Sequence, residues 1–95
     1  MPSLEYHNIK IEKYKGTNRL VMKGEITNGT SKDYSTVAVR VILFIKNIPV
    51  INEVFLINDL PKGLTKAFER NVYELKPNQV LDSVTRYEIF TDNCY

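Results

Sequence analysis

The sequence predicts an all-β protein, an antiparallel sandwich of six to seven strands or, as the alternative, a small barrel of the oligonucleotide-binding type. Three observations predict it. Nine isoleucines, nine valines and seven threonines stand against two alanines, and β-branched side chains lose rotamer freedom in a helix but pack well on a pleated sheet. Apolar residues recur with period two, and no window holds a sustained stripe at i, i+3, i+4 and i+7. Clusters of Gly, Asn, Asp and Pro break the apolar runs at the short, regular intervals of a sandwich or barrel.

The first strand is expected from Leu4 to Tyr14, with Ile9 and Ile11 on one face and Lys10 and Glu12 on the other. Lys15-Gly16-Thr17-Asn18 is a turn, since Gly16 or Asn18 can take a positive φ. In the second strand Leu20, Met22, Gly24 and Ile26 alternate with Val21, Lys23, Glu25 and Thr27, one face dry and one mostly wet. Asn28 to Asp33 reads as a polar loop. The third strand, about Ser35 to Lys46, sets Val37, Val39, Val41, Leu43 and Ile45 against Ala38, Arg40, Ile42, Phe44 and Lys46. Lys46-Asn47-Ile48-Pro49 turns the chain, and Pro49 suits the first residue of a strand or an edge. The fourth strand, Val50 to Ile57, is apolar on both sides. Asn58 to Gly63 forms a longer connection, a fifth strand runs from about Thr65 to Leu75, and a sixth from Val84 to Thr91 with Tyr87 and Ile89 inward. Between the last two, Val80-Leu81 is expected to pin the loop opened by Lys76-Pro77 to the core.

Ninety-five residues fit one domain, 1–95, at about 100–150 residues per domain. Thirteen basic and eleven acidic side chains leave a net charge of +2, too even a balance to point to a polyanion partner. No apolar run reaches the roughly eighteen residues of a membrane span, so no membrane insertion is expected. The N-terminal Met1 to His7 has no basic region followed by an apolar one. The expected location is therefore cytoplasmic, or extracytoplasmic if a leader has been trimmed away.

Reactive side chains are few. One cysteine, Cys94, and one histidine, His7, exclude a disulfide framework and a four-ligand structural zinc site within one chain. No nucleotide-binding or nucleophile-elbow motif occurs, so neither enzymatic activity nor a cofactor is expected. A Cys94–His7 nucleophile pair would need an orienting group and an oxyanion site, which nothing marks. The carboxylates Glu53, Asp59, Glu69 and Glu74 read as solubilising. Asn28-Gly29-Thr30 matches a glycosylation acceptor, but it reads first as a turn with Thr30 capping it.

Met22-Lys23-Gly24-Glu25-Ile26-Thr27-Asn28-Gly29-Thr30 resembles the G-x-V-x-N-x-S/T stretch of FxLYD domains and related bacterial and archaeal immunoglobulin-like modules. The Val-rich run Val37 to Phe44, the pair Val50-Ile51, Leu60-Pro61-Lys62-Gly63 with Phe68, and Tyr87-Glu88-Ile89 are similar to the segments that follow in that family. The chain departs at the segment that names it, where Val41-Ile42-Leu43-Phe44-Ile45 replaces Phe-x-Leu-Tyr-Asp. The resemblance spans residues 20 to 90. It implies an immunoglobulin-like sandwich acting as a non-catalytic module, usually within a larger or extracytoplasmic protein.

Two surfaces are candidates for binding. Tyr6, Lys10, Lys13, Tyr14, Lys15, Arg19 and Lys23 form a basic, aromatic-bearing first hairpin such as a single-stranded nucleic-acid barrel would use. Glu5, Glu12 and Glu25 interleave with it, so a solvated sheet face is the preferred reading and no nucleic-acid partner is expected. The third and fourth strands are apolar on both faces, and monomers rarely expose a contiguous apolar patch beyond a few hundred Å². Arg40, Ile42, Phe44, Val54 and Phe55 are therefore the candidate surface for a protein partner or a second copy.

Overall fold

The computed structural model describes residues 3–77, 79 and 84–95. Six strands follow one another: β1 (Leu4–Lys13), β2 (Arg19–Asn28), β3 (Tyr34–Ile45), β4 (Ile48–Leu60), β5 (Thr65–Glu74) and β6 (Val84–Cys94). All pair antiparallel, in two three-stranded sheets of order β1-β2-β5 and β4-β3-β6. The sandwich is the architecture found, and among the described residues the strands do not close into a barrel.

The alternation read in the two central strands builds the core. Leu20, Met22 and Ile26 of β2 face Val37, Val39, Val41 and Leu43 of β3, all fully or almost fully buried. Leu20, Met22, Val41 and Leu43 gather with Val72 and Leu75 at one end, while Ile26, Val37 and Val39 gather with Ile57, Leu60 and Phe68 at the other. Ile9, Phe55 and Ile89 touch both groups. Gly24 lies between them, where a Cβ would run into the Ile9 side chain and the Phe68 ring. Leaving out that side chain lets the flanking strands fill the middle of the layer.

Every extra residue in the ladders sits on an edge strand, which bends the edges and leaves β2 and β3 regular. On β1, Asn8 and Ile9 oppose Gly24 alone, and Asn8 takes φ 54. That bulge puts Leu4 and Tyr6 on the same face as Ile9 and Ile11, although the two pairs differ in parity along the sequence. Val72 is the extra residue on β5, Val50 on β4, and Thr85 and Asp92 on β6.

Side chains tie the two open sides of the sandwich. On one, the Tyr6 and Thr91 hydroxyls share a hydrogen bond of 2.6 Å. On the other, Phe55 and Phe68 pack with ring centroids 5.5 Å apart. There Arg70 lies 5.4 Å over the Phe55 ring and donates to the Leu56 carbonyl at 3.0 Å, and Lys66 donates to the Asn58 carbonyl at 2.5 Å.

Several boundaries differ from the sequence reading. The turn after β3 is only Lys46-Asn47, both with positive φ (52 and 64), as a type I′ hairpin turn requires. Ile48 and Pro49 thus belong to β4, an edge strand that tolerates the proline. Asn58 to Leu60 extend β4 because they pair with Thr36 and Tyr34, and Asn93 and Cys94 extend β6 against Ala38 and Val37. Asn28 is the last residue of β2 and is fully buried. Val80 and Leu81 lie outside the described residues.

Candidate protein-interaction face

Cross-strand register sorts the candidate residues by face, because directly opposed residues point the same way. Arg40 of β3 stands opposite Val54 and Phe90, Ile42 opposite Asn52 and Glu88, and Ala38 opposite Leu56 and Asn93. These residues form the outer face of the β4-β3-β6 sheet. Phe55 stands opposite Val39 and points into the core, so it does not belong with the other four. The period-two pattern of β4 fits either face, and only its register with β3 selects Val54.

The face has a charged centre and apolar flanks. Arg40 donates through Nε to Asp92 at 2.8 Å and through Nη1 to Asn52 at 2.5 Å, laying its guanidinium across all three strands. That bond holds the Asp92 carboxyl below the ordinary carboxylate value and the Arg40 guanidinium above its own. Around it Val54, Leu56 and Phe90 stand 41%, 52% and 42% exposed. Phe44 is covered: it is 7% exposed, and Arg86 lies 4.0 Å over its ring. The guanidinium thus screens most of this ring from solvent, although Phe44 shares the outer face by register. Leu56 and Phe90 are the members that the sequence reading missed. Their signal was the place of each in the alternation, which turns useful only once the strands are in register.

The opposite outer face, on β1-β2-β5, is wet and charged. Lys23 sits 3.1 Å from Glu12 and 3.6 Å from Glu69. Its bond to Glu12, with the fields of both carboxylates, holds the ammonium above its ordinary value. Of the basic hairpin, Tyr6 is turned inward to Thr91, and burial raises its phenol despite the opposing effect of that hydrogen bond. The stretch is therefore not a continuous cationic track.

His7 and Cys94 do not meet. His7 opposes Glu25 on the outer face of the first sheet, while Cys94 opposes Val37 on the inner face of the second and packs half-buried against the core. His7 Nε2 lies 3.1 Å from Thr27 Oγ1 and 3.7 Å from Glu5. One ring nitrogen faces both groups, whereas a relay needs the two nitrogens on different partners. Among the described residues no cluster of three metal-ligating side chains occurs, and no helix is long and apolar enough to cross a membrane.

The Asn28 amide is fully occupied. Its nitrogen donates to the Lys32 and Leu60 carbonyls at 2.8 and 2.9 Å, and its oxygen accepts from the Thr30 amide and hydroxyl at 2.9 and 2.6 Å. The Asn28 side chain is thus a buried clamp between the end of β2 and the end of β4, with no nitrogen free to carry a sugar. Family models, characterised proteins and solved structures were all compared with the chain, and none matches.

Proposed function

We propose that this protein is a non-catalytic, immunoglobulin-like interaction module that binds protein through the outer face of its β4-β3-β6 sheet. The observation that carries the reading is the difference between its two outer faces. One bears Glu12, Lys23 and Glu69 in mutual ion pairs. The other exposes Val54, Leu56 and Phe90 around an arginine. Water-exposed apolar groups on the two strands that flank β3 gain free energy when a partner covers them, and aromatic residues and arginine are both enriched at such contacts.

The strand order supports the immunoglobulin-like part. β1-β2-β5 and β4-β3-β6 correspond to A-B-E and C′-C-F of that sandwich, with positions D and G unfilled among the described residues. The separation of His7 from Cys94, and the single nitrogen that His7 offers to its neighbours, support a role without chemistry.

A photo-reactive amino acid placed at Leu56 tests the reading in the cells that make the protein, with a probe at Lys10 on the opposite sheet as the comparison. Protein adducts are expected from Leu56 and not from Lys10. Absence of adducts from Leu56 would refute it.

A further inference from the structure

We infer that the occupant of this face is a second copy of the same chain, packed sheet on sheet about a two-fold axis. The inference rests on the reading of the face as an interface and adds the identity of the partner.

Charge is the first argument. Among the described residues the charged side chains of the face are Arg40 and Asp92, bonded to each other, and Arg86 and Glu88, two residues apart along β6. The face is neutral and carries both signs. A strongly acidic or basic partner gains nothing from it, whereas the same patch can oppose itself without net repulsion. A two-fold axis brings residue i against j and j against i, so it can set each Arg86 near the Glu88 of its counterpart and satisfy both.

The edges supply the second argument. Edge-to-edge pairing is the competing way for two sheets to meet, and here each edge is obstructed. β1, β5 and β6 carry bulges at Asn8-Ile9, at Val72, and at Thr85 and Asp92. β4 carries one at Val50, and farther along it the carbonyls of Leu56 and Asn58 are already taken by Arg70 and Lys66. A guest strand would have to break these bonds. Covering the outer face requires no such loss.

Area sets the strength. Three strands about 4.8 Å apart and about ten residues long present roughly 500 Å² per copy. Two copies then bury about 1,000 Å², the lower limit for a specific contact. The dimer is therefore at the weak, reversible end, with a dissociation constant on the order of micromolar or weaker.

Sedimentation of the full chain across roughly a hundredfold range of concentration spanning that constant tests the inference. The average mass should climb from monomer toward dimer. Leu56→Lys or Val54→Lys should raise the dissociation constant at least about tenfold, each with a melting temperature near that of the parent, because both side chains are exposed. Glu88→Arg should weaken the dimer severalfold, and added salt should restore part of it by screening the new repulsion. A dimer that ignores all three substitutions and is lost on Asn52→Pro would place the contact at the β4 edge and overturn the inference. A chain that stays monomeric throughout would also overturn it. Adducts from the Leu56 probe to foreign proteins would then leave the interaction reading standing, and a lack of adducts would remove both.

Discussion

Replacing Asn28 by alanine probes the one polar side chain that, among the described residues, the core encloses completely. Four hydrogen bonds vanish together. Those to Thr30 are the cheaper losses, since the Thr30 amide and hydroxyl lie near the surface and can turn to water. The bond to the Leu60 carbonyl differs, because Leu60 is itself fully buried and its oxygen loses a donor where water cannot follow. At about 0.5–1.5 kcal/mol net for each of the three ordinary bonds and about 1–3 for the stranded buried carbonyl, the loss comes to roughly 3–7 kcal/mol. A domain of this size holds only about 5–15 kcal/mol in all. Each kcal/mol moves the melting temperature by about 4–8 °C, so the variant should melt at least about 12 °C below the parent.

Asn28→Asp sharpens the test. The carboxylate keeps the acceptor for Thr30 but has no donor, and it turns negative oxygen toward two carbonyls in a closed space. It should be as damaging as alanine at neutral pH. Acid should recover part of the loss, because protonation supplies one donor. Thermal and urea melts of both variants at neutral and mildly acid pH are the assay. An alanine variant melting within about 3 °C of the parent would show that the clamp does not join β2 to β4 energetically.

Gly24→Ala should cost about 1–3 kcal/mol, since its methyl would displace the Ile9 side chain and press the Phe68 ring. Adding Ile9→Ala should return part of that in a double-mutant cycle, and strict additivity would disprove the contact. Burial holds the Tyr6 phenol above its ordinary value of 10.0, so the unfolded chain ionises first as the solution turns alkaline. The stability this provides is complete below about pH 10 and is lost as pH rises through the folded value. Thermal melts above pH 10 should fall more steeply for the parent than for Tyr6→Phe, and equal slopes would refute the assignment.

Period two was enough to find all six strands and to orient β2 and β3, because their inner faces are aliphatic almost without interruption. It could not orient β4, whose Val50-Val54-Leu56 and Ile51-Phe55-Ile57 sets are equally apolar. The choice comes from pairing with β3, a contact between distant parts of the chain. Phe44 was misjudged for the same reason: the arginine that covers it stands on β6. The bulge at Asn8 corrects a parity slip between Tyr6 and Ile9 that alternation alone treats as a break. Asn28 looked like loop because its chemistry suits turns, and its burial depends on Lys32 and Leu60 closing over it. Local pattern specified the strands, and which side chains share an outer face followed from pairings that pattern does not encode.

The two-residue turn at Lys46-Asn47 has a consequence for how the chain reaches this state. It joins the longest pairing among the described residues, from Ile45 opposite Ile48 to Tyr34 opposite Leu60, interrupted by the bulge at Val50. Closing so short a loop has the lowest entropic cost available to any pair of strands here, and isolated hairpins form within about 1–10 μs. The pairings of β2 with β5 and of β3 with β6 join segments far apart in sequence and must wait for slower searches. β3 and β4 therefore form the template on which the other strands assemble. Pulse-labelled amide exchange would find their amides protected first, and simultaneous protection of β5 and β6 would contradict that order. The proposed association face thus takes shape early, with its apolar side chains displayed before β6 has arrived to complete it.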